Sequence, residues 1–151
     1  LTAELAEKAW ALIQEVEEGY EIEPGVRIWD TPGHSPGSIS VQVETDNGLC
    51  LVTGDVLHYS TVALTRKNPL VFWNEEQATR SIDRIVGVAD AIYPGHDRPF
   101  RVVKGDIEYL ESLKMTISGV SPDDPGVAFE TGPRPIWVMP GIEEQSIESL
   151  S

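Results

Sequence analysis

The sequence predicts an α+β fold, because segments with helical periodicity alternate with segments whose apolar residues recur at every second position. Apolar residues between Thr2 and Glu18 recur at three- and four-residue spacing, which is typical of an amphipathic helix. The stretch Ile39–Thr53 contains two strand-like runs separated by Asp46-Asn47-Gly48, a turn sequence typical of β-hairpins. With 40% apolar and 24% charged residues in a chain of 151, the composition is that of a globular domain.

Other segments extend this alternation toward the C-terminus. The additional predicted elements are a strand at Val26–Asp30, a helix from Asn74 to about Gly87, a strand at Ala91–Tyr93 and a helix from about Gly105 to Leu113. Beyond residue 118, five prolines prevent long regular structure, and residues 119–151 carry six acids against one base. We therefore expect a folded unit over residues 1–118 and a Pro/Gly-rich acidic tail over residues 119–151.

The charge and the cysteine content exclude several classes of protein. The 25 acidic and 11 basic residues give a net charge of -14, which repels phosphate backbones, so a nucleic-acid partner is not expected. No apolar run approaches the roughly 18 residues of a membrane span, so no membrane partner is expected either. Cys50 is the single cysteine and cannot form an intramolecular disulfide. Because no signal-peptide pattern is visible, we expect a cytoplasmic protein.

Three segments share one design, in which a predicted strand ends in a tight turn that contains glycine. These segments are Thr31–Ser38, Val52–Asp55 and Tyr93–Asp97. Glycine permits close backbone approach and proline fixes the entry to the turn, so a side chain there projects from a rigid strand end. The side chains presented are His34, Asp55 and His96, and imidazole and carboxylate groups suit zinc. One such histidine is most often a polar turn residue, whereas the joint pattern is far more specific.

Together the three segments resemble metal-binding motifs of the metallo-β-lactamase superfamily of metal-dependent hydrolases. The third motif is similar to Thr31-Pro32-Gly33-His34-Ser35-Pro36-Gly37-Ser38, the fourth to Thr53-Gly54-Asp55 and the fifth to Pro94-Gly95-His96. The resemblance implies that His34 completes the three-histidine site of a first metal, that the catalytic Asp55 bridges both metals and that His96 binds the second. It implies two zinc ions in the complete enzyme, with Fe or Mn as alternatives. The three side-chain tips are then expected to lie within roughly 4–7 Å of one another.

The His-x-His-x-Asp-His motif of that superfamily is missing, since the histidines are His34, His58 and His96. The chain also begins at Leu1 without an initiator methionine. We therefore expect residues 1–118 to be the C-terminal half of an αββα sandwich from a longer hydrolase, with zinc weak or absent in this chain. A degenerate relative that lacks catalytic activity is the alternative. We expect a homo-oligomer, or association with the missing N-terminal half.

The resemblance implies hydrolysis of an ester, thioester or lactone-type bond in a small-molecule substrate by a metal-bound hydroxide. A phosphodiesterase or nuclease of the same superfamily and a metal-free interaction module are the alternatives. His58 either contacts substrate or faces solvent, and Asp97 either orients the His96 ring or points away. The apolar tract Val62–Trp73 either walls the pocket or packs in the core.

Overall fold

The computed structural model of the protein describes residues 9–10, 12–117 and 127–131. Its strands are β1 (Glu21–Glu23), β2 (Val26–Asp30), β3 (Ile39–Thr45), β4 (Gly48–Gly54), β5 (Ala91–Pro94), β6 (Phe100–Val103), β7 (Asp106–Tyr109), β8 (Leu113–Ile117) and β9 (Val127–Thr131). Its helices are a 3₁₀ turn (Asp55–Leu57), α1 (Ser60–Thr65) and α2 (Glu75–Val88). Neither α1 nor α2 has the length and hydrophobicity that crossing a membrane would require.

Strands β1 to β7 lie side by side in chain order in a seven-stranded mixed sheet. Neighbouring strands are antiparallel except for β4 and β5, which are parallel. A parallel pair needs a crossover connection, and α1 and α2 supply it. Because β2 and β4 are each antiparallel to β3, the strands β2, β4 and β5 run in the same direction. Their C-terminal ends therefore meet at one edge of the sheet.

The hydrophobic core lies between one face of the sheet and the two helices. Leu51 of β4 and Ile92 of β5 are 0% and 1% exposed and pack in one cluster with Ile82 and Ile85 of α2. Burying such aliphatic side chains stabilises the fold by about 1.5–3 kcal/mol each. Because side chains alternate along a strand, the residue after Leu51 points to the opposite face, and Val52 is 45% exposed.

That opposite face, called the apolar sheet face below, is built from six apolar or weakly polar side chains. They are Ile39, Val41, Val43, Cys50, Val52 and Tyr93, which alternate along their strands or pair directly across them. Ile39 and Tyr93 are 45% and 41% exposed. Within the described part of the chain, this central region of the sheet therefore remains open to solvent.

The predicted helix from Gly105 to Leu113 is wrong, because this segment forms β7 in a hairpin with β6. Lys104 and Gly105 both have positive φ values, 54° and 83°, as a two-residue hairpin turn requires. Tyr109 is buried and Ile107 half-buried, whereas Asp106 and Glu108 are exposed, so the alternation is that of a strand. The predicted strand at Val26–Asp30, the hairpin over Ile39–Thr53, the helix after Asn74 and the strand at Ala91–Tyr93 are confirmed.

The predicted N-terminal helix is wrong over residues 12–18, where the chain is irregular, although Ala9 and Trp10 are helical. Trp10 and Leu12 are 72% and 88% exposed, so among the described residues their apolar side chains find no surface to stabilise a helix. Glu18 instead accepts hydrogen bonds from Arg84 and from the backbone N–H of Asp30. The rest of that predicted helix lies outside the described residues.

Strands β8 and β9 pair as a separate two-stranded sheet. Residues 118–126 and 132–151, which include most of the predicted acidic tail, lie outside the described residues. The division of the chain at residue 118 stays a prediction.

Candidate metal centre

His34 lies in the turn that follows β2, and this turn is held against α2. Gly33 has φ +143°, and a Cβ there would lie 2.3 Å from the Cα of Ala78, so the turn can approach the helix only with glycine at this position. Ser81 Oγ donates a hydrogen bond of 2.8 Å to the carbonyl oxygen of Pro32. The position of His34 is therefore set by packing between a strand end and a helix.

Asp55 begins the 3₁₀ turn directly after β4. The strand ends at Gly54, whose φ of 55° is uncommon for residues with a side chain. Thr53 Oγ1 donates a hydrogen bond of 3.0 Å to the carbonyl oxygen of Leu57, which stabilises the turn. Both of these residues are buried, whereas the Asp55 side chain is 42% exposed, so its carboxylate projects from a rigid base.

His96 follows β5, and its turn is joined to the Asp55 turn by two backbone hydrogen bonds. The N–H of His96 donates a hydrogen bond of 2.7 Å to the carbonyl oxygen of His58, and the N–H of Gly95 donates one of 3.3 Å to the carbonyl oxygen of Leu57. A Cβ at Gly95 would lie 2.6 Å from Asp55 Oδ1. Glycine at this position therefore lets the carboxylate lie directly against the His96 turn.

The three predicted ligands converge at one edge of the sheet. His34 Nε2 lies 3.6 Å from Asp55 Oδ2, and His96 Nε2 lies 3.1 Å from Asp55 Oδ1. Each carboxylate oxygen therefore faces a different imidazole. The common direction of β2, β4 and β5 explains why residues far apart in sequence meet here. The predicted proximity of Asp55 to both histidines is present in the structure, while the roles of these residues as metal ligands stay predictions.

These three side chains fit part of a two-metal site. A carboxylate between two imidazoles offers one oxygen and one ring nitrogen to each of two ions, which is donor chemistry that suits zinc. Zinc sites in proteins use three or four protein ligands for each ion. Within residues 9–10, 12–117 and 127–131, no three His, Cys, Asp or Glu side chains are placed to hold one ion. Either position therefore requires further ligands.

The loop Asn68–Asn74, called the His34 loop below, connects α1 to α2 and lies against His34. The carbonyl oxygen of Leu70 is 2.5 Å from His34 Nδ1, and the Phe72 ring meets the His34 ring edge-on at 5.2 Å. The Phe72 N–H also donates 3.1 Å to the carbonyl oxygen of His34. Within the tract Val62–Trp73, Val62 of α1 is fully buried in the core, which agrees with the core-packing interpretation, while the role of the tract as a pocket wall stays a prediction.

This contact sets the orientation of the His34 ring. A carbonyl oxygen can only accept, so His34 Nδ1 carries the proton that it donates to Leu70. In neutral His34 the lone pair therefore lies on Nε2, which faces Asp55. Sequence reasoning missed this contact, because a backbone carbonyl group leaves no signal in the residue types.

His58 is buried beneath His96, so the solvent-facing interpretation is wrong. Its side chain is 3% exposed, its ring lies 6.3 Å from that of His96, and neither ring nitrogen has a hydrogen-bond partner among the described residues. Burial is the main cause that lowers the pKa of His58, and His96 and His34 lower it further, whereas the negative charge and the backbone of Asp55 raise it. The proposed contact of His58 with substrate stays a prediction.

Asp97, the residue after His96, stabilises the His96 turn through the hydrogen bonds of its side chain. Its carboxylate accepts hydrogen bonds from the Ser60 N–H at 3.0 Å, the Arg98 N–H at 2.8 Å and the Tyr109 hydroxyl at 2.9 Å. These partners occupy the carboxylate, so of the two predicted interpretations the one in which Asp97 points away from the His96 ring agrees with the structure.

The chain is similar to known proteins in both sequence and fold. The profile of the metallo-beta-lactamase superfamily matches residues 7–96, which is more than half of the chain. Metallo-beta-lactamase domain-containing protein 1 of Mus musculus is 38% identical over 93 residues, covering 59% of this chain and 34% of that relative. N-acyl homoserine lactonase of Bacillus cereus is 37% identical over 87 residues, covering 54% of this chain and 34% of that relative.

The chain thus spans about a third of the length of the curated relatives that it matches. A crystal structure of "a probable metal-dependent hydrolase from Staphylococcus aureus" matches with a TM-score of 0.53 at 17% identity, covering 65% of this chain and 40% of that one. That likeness shows the fold alone. With the profile match over more than half of its length, the chain belongs to the metallo-β-lactamase superfamily.

Proposed function

We propose that this chain supplies His34, Asp55 and His96 as metal ligands to a hydrolase that acts on an ester, thioester or lactone-type bond. The observation that carries the proposal is the Asp55 carboxylate, whose two oxygens face the Nε2 atoms of two different histidines at 3.6 and 3.1 Å. This arrangement is suited to a carboxylate that bridges two cations.

The electrostatics of the cluster support a cation at this position. In neutral His34 the Nε2 lone pair faces a carboxylate oxygen, and two acceptors repel unless a proton or a metal ion lies between them. Zinc suits these donors, and Fe or Mn accept the same groups. Bound zinc would polarise a substrate carbonyl and make a water molecule acidic enough to attack at neutral pH. The protein contributes by holding Asp55 and both imidazoles on rigid strand ends.

The name of one relative and the charge of the chain support the substrate class that we propose. One relative is named N-acyl homoserine lactonase, so a lactone or another activated acyl group in a small molecule is the substrate class that we propose. The net charge of -14 disfavours polyanionic substrates such as nucleic acids. Phosphodiester hydrolysis is therefore an outcome that the test must exclude.

His58 is proposed as the substrate contact. A buried imidazole without a hydrogen bond costs about 1–3 kcal/mol, and a polar group that enters the site would relieve this cost. Burial keeps the ring neutral, so it retains one N–H that can donate to a substrate carbonyl oxygen. Replacing His58 with Phe is then expected to lower kcat/KM of the complete enzyme without lowering its zinc content.

We also propose that this chain is the C-terminal half of a longer hydrolase. Within the described part of the chain the ligands are too few for either metal position, and the apolar sheet face exposes Ile39, Val52 and Tyr93. A second sheet layer over this face would bury these side chains and could bring further ligands to the edge beside Asp55. The chain alone is accordingly proposed to be inactive as a hydrolase.

The ligand assignment can be tested on the chain by titrating zinc into protein with ¹⁵N-labelled histidine and following the ring nitrogens by NMR. The expected result is that the His34 and His96 signals shift together, and that Asp55→Asn weakens both responses. Asp46→Asn removes the same charge from the exposed hairpin turn and should change neither response. A zinc response confined to one ring, or one that is insensitive to Asp55→Asn, would refute the bridging role and favour the metal-free interaction module.

The reaction can be tested on the longer protein that contains both halves, loaded with zinc. We expect hydrolysis of acyl lactones or thioesters to exceed that of bis(p-nitrophenyl) phosphate, and to be lost in Asp55→Asn. Faster cleavage of the phosphodiester would identify the enzyme as a phosphodiesterase of the same superfamily.

A further inference from the structure

We infer that Asn68 is a positioning residue, which fixes the His34 ring relative to the Asp55 turn. Asn68 begins the His34 loop and uses both ends of its side-chain amide. Its Nδ2 donates hydrogen bonds of 2.7 and 3.0 Å to the carbonyl oxygens of Asp55 and Val56. Its Oδ1 accepts a hydrogen bond of 2.8 Å from the N–H of Leu70. One side chain therefore joins the Asp55 turn to the loop that contacts His34.

The connection continues through Leu70 to the His34 ring. The N–H of Leu70 donates a hydrogen bond to Asn68 Oδ1, and the carbonyl oxygen of Leu70 accepts a hydrogen bond of 2.5 Å from His34 Nδ1. Asn68 thereby acts on two of the three candidate ligands at once, on the backbone of Asp55 and on the ring of His34. A hydrogen bond to one ring nitrogen fixes which nitrogen is free to bind a metal.

The other hydrogen bonds of the His34 loop do not reach the His34 ring. The N–H groups of Phe72 and Asn74 donate to the carbonyl oxygens of His34 and Gly33. These hydrogen bonds join the backbone of the loop to the backbone of the His34 turn. Trp73 Nε1 donates 3.1 Å to Gln77 Oε1 on the far side of the loop. Among the described residues, the hydrogen bond that acts on the His34 ring is the one from His34 Nδ1 to the carbonyl oxygen of Leu70, and Asn68 holds Leu70 in place.

An asparagine matches what this position demands. The site offers two carbonyl acceptors and one N–H donor, and a primary amide supplies two donors and one acceptor. Aspartate has the same shape but would turn a carboxylate oxygen toward the carbonyl groups of Asp55 and Val56. Alanine would remove all three hydrogen bonds. Either substitution should free Leu70 to shift and should release His34 Nδ1.

The inference rests on the proposed function where it treats His34 and Asp55 as metal ligands, but it can be tested without metal. In the metal-free chain at neutral pH, long-range ¹H–¹⁵N NMR of the imidazole reports which ring nitrogen of His34 carries the proton. We expect a single Nδ1–H tautomer in the wild-type chain. In Asn68→Ala and Asn68→Asp we expect a mixture in which the Nε2–H tautomer appears, with the backbone amide spectrum of β3 and α2 retained.

Gln77→Ala is the matched control, because it removes a hydrogen bond of the same loop without touching Leu70, and it should leave the His34 tautomer unchanged. If Asn68→Ala does not fold, the isosteric Asn68→Asp supplies the test. A folded Asn68 variant that keeps the pure Nδ1–H tautomer would overturn the inference, as would an equal effect of Gln77→Ala.

The zinc titration separates the two proposals. If the tautomer depends on Asn68 but zinc shifts neither His34 nor His96, the positioning role stands and the proposed function fails. If zinc shifts both rings equally in wild type and Asn68→Ala, and the tautomer is unchanged, the positioning role fails and the metal site stands. If both hold, the zinc concentration at half-saturation should rise about 10- to 100-fold in Asn68→Ala.

Discussion

The Asp55 carboxylate lies so close to the backbone of Gly95 that a Cβ at Gly95 would come within 2.6 Å of Asp55 Oδ1 and within 2.9 Å of the carbonyl oxygen of Gly54. Gly95 directly precedes His96, whose Nε2 is 3.1 Å from the same carboxylate oxygen. The contact between the Asp55 carboxylate and the His96 imidazole is thus possible only because glycine at position 95 has no side chain.

Replacing Gly95 with alanine should therefore separate Asp55 from His96. The φ of Gly95 is not in the left-handed region, so the expected damage is steric, and overpacking of this kind costs about 1–3 kcal/mol. Denaturant unfolding should show this loss, and the joint zinc response of His34 and His96 should disappear.

Gly87→Ala is the control, because no atom lies within 4 Å of the added Cβ and α2 should gain up to about 1 kcal/mol in stability. Removing the carboxylate with Asp55→Ala should make Gly95→Ala less costly. Equal costs in both backgrounds would contradict the steric explanation.

Tyr109→Phe should lower the stability of the protein, because it removes hydrogen bonds to Asp97 and Ser60 beside the His96 turn. The Tyr109 hydroxyl donates its one proton to Asp97 and lies 2.6 Å from the buried Ser60 Oγ. The hydroxyl of Ser60 therefore donates to the tyrosine oxygen. Removing the tyrosine oxygen leaves Ser60 without that acceptor, at a cost of about 1–3 kcal/mol. Chemical denaturation of the two proteins at neutral pH measures it, and an unchanged midpoint would show that the network contributes nothing.

The same residue predicts a difference at high pH. Burial raises the pKa of Tyr109 to about 12, with the charge of Asp97 adding to this and the Ser60 hydrogen bond opposing it. An unfolded tyrosine titrates near 10, so between these values the folded state holds more protons than the unfolded state. Stability should therefore fall as pH rises from about 10 through 12, by about 2–3 kcal/mol in total. Tyr109→Phe should lose less stability over this range, and parallel curves would contradict the cause assigned here.

The features that could be predicted from sequence are those set by local chemistry. Gly-containing turns after short apolar runs placed His34, Asp55 and His96 at strand ends. The helix was predicted to begin at Asn74, and Asn74 Oδ1 accepts a hydrogen bond of 2.8 Å from the N–H of Gln77 there. Once β2, β4 and β5 share a direction, the convergence follows from topology. The clustering of Asp55 with the two histidines was therefore predictable, while their roles as metal ligands stay predictions.

The features that could not be predicted from sequence depend on contacts between distant parts of the chain. The three-residue spacing of Ile107, Leu110 and Leu113 favoured a helix, but the positive φ of Lys104 and Gly105 turns the chain back against β6. The contact from the Leu70 carbonyl to His34 could not be predicted, because any residue type carries such a group.

The apolar sheet face predicts self-association of the chain. Val52 is 45% exposed near the centre of this face, so contiguous apolar surface there favours a second molecule. Light scattering at micromolar concentration should show a dimer or larger species, and Val52→Glu should shift it toward monomer. Val88→Glu adds the same charge at a residue 47% exposed on α2 and should leave the oligomer intact. A compact wild-type monomer would contradict the prediction.

The last prediction concerns zinc in the chain as it stands. Among the residues that the structure describes, Asp55 offers one oxygen to each side and each histidine one nitrogen, so each ion would have two protein ligands where stable zinc sites use three or four. Dialysis against a mild chelator should therefore remove zinc, and elemental analysis should find less than one equivalent bound. Acyl lactone hydrolysis by the dialysed and zinc-supplemented chain should stay at background. Tight stoichiometric zinc that survives the chelator would mean that this chain completes the site from its own residues, and the proposal of a missing half would then fail.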